Sequence, residues 1–127
     1  MNRHKIRENL VFSVYQHLLL NKDLNSCVLD IFSLDNIDEA DEYLLLLLSD
    51  IKENKFRYIE IITPLLKKWS FNRLNYIDQA ILLVATSEIL TAKVDRAVAI
   101  DEAVNIAKEY SDDESFKYIN GVLDQIK

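Results

Sequence analysis

Apolar residues at Ile6, Leu10, Val14 and Leu18 recur every four positions, and Phe12 and Tyr15 widen the stripe they make. That rhythm predicts a first helix over residues 3–20. A polar break follows at 21–25, then a short apolar piece at 27–34. Asn36-Ile37-Asp38-Glu39 has the form of a capping box, with Asn36 as N-cap and Glu39 three residues on. The helix it opens is expected to run to about Lys52 and to bury Leu44, Leu47, Leu48 and Ile51. A separate helix is expected over 55–68, on the stripe Phe56, Ile59, Ile62 and Leu66. Pro64 lies inside that stripe. It either kinks the helix or follows a Thr63 cap at the first position of a new turn, and the unbroken stripe favours the kink.

Residues 74–91 carry the densest apolar run. Ile77, Ile81, Leu82, Val84, Ala85, Ile89 and Leu90 surround much of the helix circumference, which predicts the central helix of the molecule. Over 98–110, Ile100, Ala103, Val104 and Ala107 face inward. Ser111-Asp112-Asp113-Glu114 reads as a second capping box, opening a last helix with Phe116, Ile119, Leu123 and Ile126 toward the core. Gly121, the single glycine, falls inside that helix. A glycine there is worse than alanine by about 1 kcal/mol. It is therefore expected to allow close approach of another backbone, from a neighbouring helix or a ligand. Trp69 is expected to plug the joint between two helices. Six or seven helices with short connections predict an all-α bundle.

Composition narrows this further. One Gly and one Pro among 127 residues leave almost no material for tight hairpins. The length suits one domain over residues 1–127, or two small subdomains sharing a core. The lone Cys27 forms no internal disulfide, so a reducing, cytoplasmic setting is expected. The first ten residues are polar and basic with no secretory h-region after them. The run from Leu44 to Leu48 is far short of the roughly 20 apolar residues of a membrane span. Net charge is −6, and residues 30–60 hold nine acids against three bases. A chain so acidic is no general nucleic-acid binder, and any RNA contact must sit on a local basic patch.

Candidate chemistry is sparse. His4, His17 and Cys27 form no metal-ligand spacing, so no metal site is expected. A single glycine rules out a P-loop and a dinucleotide fingerprint, so no cofactor is expected either. Cys27 with a histidine could in principle make a nucleophile pair, but a buried structural cysteine is the plainer reading. No catalytic residue and no enzyme activity are expected. Arg3, His4, Lys5 and Arg7 cluster at the start of the first helix, where the macrodipole prefers anions. A solvated helix start would be the plainer reading of so short a run. The electrostatic mismatch points instead to phosphate binding, with guanidinium groups and helix-start N–H groups as donors. Lys117, Tyr118 and Asn120 offer base-edge donors and a stacking ring on the last helix, against the alternative of an ordinary wet face.

The residues also carry a resemblance. Trp69, Arg73-Leu74, Asp78 and Ile81-Leu82 fit the pattern W-x-x-x-R-L-x-x-x-D-x-x-I-L, and Glu88 follows in the same helix. With the blocks at 100–108 and 115–124 and the opening Arg3-His4-Lys5-Ile6-Arg7-Glu8, the chain resembles the NusB family of transcription antitermination and termination factors. The resemblance implies two small helical subdomains. It implies binding of boxA-type single-stranded RNA in ribosomal RNA transcripts, jointly with the ribosomal small-subunit protein NusE. It implies joining the elongating RNA polymerase with other Nus factors. By matching position, Arg3, His4 and Arg7 fall in the basic RNA-contacting opening. Tyr110, Glu114, Lys117 and Tyr118 fall on the C-terminal segment of the same surface, and Asp78 lies toward the protein partner. Lys5 and Asn120 complete the expected RNA face. Where the family usually has further arginines, this chain has His4 and Lys5. Where its central helix reads I-L-R-L-A-x-Y-E, Leu83 and Ser87 replace the Arg and the Tyr.

The expected mechanism is electrostatic capture of RNA by the basic start, followed by base contacts from the last helix. Substituting Arg3 and Arg7 is then expected to weaken RNA binding without lowering the melting temperature. One rival is a helical protein–protein interaction module without RNA binding. Another is the substrate-binding part of a ribosomal RNA cytosine methyltransferase, a use this fold also has, which would need a separate catalytic subunit. The sequence leaves open a homodimer that hides the RNA face.

Overall fold

A computed structural model describes every residue of the chain except Lys93. Helix α1 spans Arg3–Leu20. It starts where the Asn2 side chain accepts from the Lys5 N–H at 2.9 Å and stops where Asn21 turns left-handed, φ 53°. Asp23 caps α2, Leu24–Phe32, and Ser33 ends it in the same left-handed way. The expected capping box at Asn36 forms, with Asn36 N–H donating to Glu39 Oε1 at 2.9 Å. It serves only a single 3-10 turn, Ile37–Glu39. Asp41, whose carboxylate takes the Tyr43 N–H at 2.8 Å, caps the α-helix that follows.

That helix, α3, runs unbroken over Glu42–Ile62 and joins the two helices the sequence pattern separates. Glu53 and Asn54 are polar but do not break a helix. Asn54 donates to Asp50 Oδ1 one turn back at 2.8 Å. Continuous phase also explains Phe56. The buried face steps from Ile51 to Tyr58 to Ile62, and a residue five beyond Ile51 points elsewhere, so Phe56 is 73% exposed rather than in the core. Pro64 does not kink α3. The helix ends at Ile62, and Pro64 stands in a 3-10 turn, Thr63–Leu65. A proline within the helix would have lost a hydrogen bond and struck the carbonyl of the preceding turn.

The link to the next helix contains a second turn, Phe71–Arg73. Leu66, Phe71 and Leu74 fill the joint there, while Trp69 is 56% exposed and is no core plug. Asn75 caps α4, Tyr76–Thr91, accepting from Asp78 N–H at 2.8 Å. Every residue from Asp78 to Glu88 is buried. As expected, α4 is central, with α1, α3, α5 and α6 packed on it. Helix α5 covers Arg96–Tyr110 under an Asp95 cap, and α6 covers Ser115–Asp124. The second expected capping box is not made. Because α6 starts only at Ser115, Glu114 falls at its N-cap, without a side-chain bond, and Ser111 is the C-cap of α5. Gly121 is exposed, has no positive φ, and a Cβ built on it would meet nothing within 4 Å. The close approach expected there is absent.

Among the described residues the fold is all-α, with six α-helices and no strand. The core is one contiguous apolar cluster drawing on all six. Among the described residues no helix is long and apolar enough to cross a membrane.

Candidate nucleic-acid interface

The basic opening occupies the first two turns of α1, and its four side chains divide into two groups. Arg3, His4 and Lys5 are exposed. The Arg3 guanidinium lies 4.4 Å over the Tyr43 ring at the start of α3. His4 Nδ1 sits 2.7 Å from Glu102 of α5, and Lys5 Nζ sits 3.4 Å from Glu8. In each pair the basic side chain is open to water while the carboxylate is largely covered, Glu8 being 6% exposed.

Arg7 points the other way and is only 5% exposed. Its Nε donates to both carboxylate oxygens of Glu88, at 2.9 and 2.7 Å. The Tyr43 hydroxyl donates to the same carboxylate. Burial works against the Arg7 charge, the Glu88 carboxylate more than offsets it, and the guanidinium stands above its ordinary pKa. Burial and the Glu88 bond likewise push the Tyr43 phenol well above the usual range. Arg7 is therefore a tie between α1 and α4, not part of an exposed phosphate site. Removing it would take from the buried Glu88 its ion-pair partner, so it cannot be lost without a stability penalty.

The C-terminal residues divide similarly. Tyr110 is exposed and meets Phe12 edge-on, ring centroids 4.9 Å apart. Glu114 and Lys117 are exposed and paired with each other at 2.8 Å, and Asn120 is exposed. Tyr118 is half-buried, and its hydroxyl donates to Asp78. Asp78 itself is 2% exposed, with Ser111 and Ser115 also donating to it at 2.6 and 2.7 Å. Burial and the Asp78 bond hold the Tyr118 phenol protonated far into alkali. Asp78 is thus an internal anchor that fastens the α5–α6 turn and α6 to α4. The position toward a protein partner that the resemblance implies for it would be reached through the residues around it, since only 2% of Asp78 itself is exposed.

Three helices carry the exposed set. His4 meets Glu102 and Phe12 meets Tyr110, so α1 and α5 run parallel, eight residues between the pairs on each. That places the basic turn roughly 12 Å from Tyr110. Lys108 lies over the Phe116 ring and Arg96 reaches the Asp124 carbonyl, so α6 returns antiparallel along α5. Asn120 consequently comes level with Glu102 and His4 along the helix axes. Helix α5 is the strut between the two expected halves of the surface.

The sequence reading missed what lies beside Tyr118. Trp69, Arg73, Leu74, Asn75, Asp78, Asp112, Glu114, Ser115 and Tyr118 line an open groove of about 340 Å³. A tryptophan flanked by Lys67, Lys68 and Arg73 was the available signal, and its apolar bulk pointed to the core instead. Among the described residues no group of three or more His, Cys, Asp or Glu side chains could hold a metal ion.

The comparisons with known proteins agree with this architecture. The family model described as the NusB family matches residues 4–127. A transcription antitermination protein NusB from Methylacidiphilum infernorum is 39% identical over 130 residues, covering 99% of this chain and 90% of the relative. That of Staphylococcus aureus is 35% identical over 128 residues, covering 100% of this chain and 99% of the relative. Among solved structures, Thermotoga maritima NusB superposes with a TM-score of 0.88 at 35% identity, covering 99% of this chain and 90% of its own. A structure of antitermination factors NusB and NusE in complex with double-stranded RNA superposes at TM-score 0.80 and 23% identity, covering 99% of this chain and 97% of that one. At that identity the likeness speaks for the fold alone.

Proposed function

The chain belongs to the NusB family of transcription antitermination proteins, and from that premise we propose that it binds boxA-type single-stranded RNA of ribosomal RNA transcripts together with the ribosomal small-subunit protein NusE. The pair then joins the elongating RNA polymerase with other Nus factors, in the cytoplasm where transcription runs. Family membership makes it a binding protein and not an enzyme. The observation that carries the reading is the exposed turn with the cations Arg3 and Lys5 and the His4 imidazole between them, on a chain of net charge −6. That turn attracts phosphates, and Tyr110, Lys117 and Asn120 supply a ring and polar groups for unstacked bases. Glu114 lies within the same surface and tempers Lys117. Arg3 and Lys5 neutralise few phosphates, so the chain alone binds weakly, and NusE adds contact area rather than new chemistry.

Fluorescence anisotropy of a labelled boxA-type RNA, with and without NusE, tests this. The double variant Arg3→Ala/Lys5→Ala is expected to weaken binding about tenfold at low salt. The slope of log affinity against log salt should fall by about 1.4, from about 0.7 per lost single-strand phosphate contact. Equal binding by the variant removes the turn from the site. No binding to RNA with or without NusE leaves the helical protein-interaction module in its place.

A further inference from the structure

The groove beside Tyr118 has on its lining two residues, Trp69 and Arg73, that take no part in the RNA surface proposed above. We infer that it is a nucleobase slot, in which the Trp69 ring stacks on one unpaired base of a single-stranded RNA held by the Arg73 guanidinium. The inference rests on the RNA-binding reading and extends that surface past α6 onto the link before α4.

Three observations carry it. The first is Trp69, 56% exposed and the only tryptophan in the chain, at a groove that Tyr118 also lines. Large rings left in water beside a groove are stacking platforms of the sort single-stranded nucleic acids use. The groove volume of about 340 Å³ lies near the lower end of the roughly 300–1,000 Å³ usual for small-ligand clefts.

The second is the charge at the rim. Arg73 is exposed and takes part in no ion pair among the described residues. Asp112 and Glu114 lie on the same groove. A phosphate is repelled from the acids and drawn to Arg73, which sets the strand's direction of approach and turns its base toward the groove.

The third is which polar groups remain open to a ligand. Ser115 and Tyr118 already donate their hydroxyl protons to Asp78, and the Asp78 carboxylate is filled by three hydroxyl donors. Asp112 carries only a long contact from the Asn75 amide, 3.5 Å. The carboxylate left at the rim therefore accepts, and it favours a base that presents an amino group. Cytosine and adenine meet that requirement, whereas uracil turns a carbonyl oxygen at the corresponding position.

Because Trp69 is unique, its emission reports the slot directly. The full chain is titrated with short unlabelled oligo(C) and oligo(U), and binding is followed in parallel by anisotropy of labelled strands. Oligo(C) is expected to quench Trp69 saturably and to bind several-fold tighter than oligo(U). Trp69→Ala should lose about tenfold in RNA affinity, the scale of one stacked base, with an unchanged melting curve because the ring is exposed. Asp112→Asn should bring the oligo(C) to oligo(U) affinity ratio toward one, a readout that a general gain from the lost negative charge does not move. RNA binding with unaltered Trp69 emission, and equal binding by Trp69→Ala, overturns the slot while the basic turn stands. Emission that responds to NusE but not to RNA overturns it in favour of a protein contact. No RNA binding of any kind overturns both readings.

Discussion

Arg7 and Arg3 stand four residues apart on one helix and do opposite work. Arg3 is on the surface over Tyr43, and Arg7 is locked to Glu88 in the core. Nothing in the local pattern separates them, since both sit in one basic run. The difference lies in what the fold brings opposite each, Tyr43 for Arg3 and, 81 positions along the chain, Glu88 for Arg7. Arg7→Ala is expected to destabilise by about 3–5 kcal/mol, because an unpaired carboxylate is left buried. For a domain of this size that lowers the melting temperature by on the order of 10 °C. Calorimetry decides it. A melting temperature equal to that of the parent chain would return Arg7 to the surface set, whereas Arg3→Ala is expected to leave stability nearly unchanged.

At the scale of elements, the helix periodicity was legible almost everywhere, and α1 matches its expected bounds. The departures share a cause. Local signals say what a segment can start or end, not whether it does. The box at Asn36 satisfied a turn, the box at Ser111 fell out of register when α6 began at Ser115, and the polar pair Glu53-Asn54 let α3 continue. Gly121 is the clearest case for α6. With open space at its Cβ position and no left-handed backbone, it supports no close contact. Gly121→Ala is therefore expected to stabilise the protein by about 0.5–1 kcal/mol through helix propensity and a less free unfolded chain. A rise in the urea midpoint with RNA and NusE binding unchanged is the expected result. Loss of NusE binding alone would mean that a partner backbone uses the gap.

For the whole molecule, three phenols stitch helices onto α4 or beside it. Tyr43 reaches Glu88, Tyr118 reaches Asp78, and Tyr58 donates to Asp50 at 2.6 Å and lies 3.4 Å from Thr91. Ser87 donates to that same Asp50 oxygen at 2.6 Å. Burial and the Asp50 bond push the Tyr58 phenol up to about 12. Each folded pKa is raised above the unfolded value near 10. The stabilisation is thus complete below about pH 10 and declines as pH rises through the folded values, because the unfolded chain gives up these protons first. Urea midpoints should fall between about pH 8 and about pH 11, and Tyr58→Phe should reduce the fall. A parallel decline in the variant would exclude Tyr58 as a contributor.

The order of apolar and polar residues determined by itself that this chain is helical, that 74–91 is its centre, and that a few cations stand at one end of an acidic body. Those are properties of neighbours three or four residues apart, which a helix brings together whatever the rest of the chain does. Only tertiary packing decided which charges stay in water. It drew Arg7, Glu88 and Asp78 inward and left Trp69, Phe56 and Arg73 outside. The reason is that a buried charge is tolerated only opposite a partner, and each of these partners comes from a distant element.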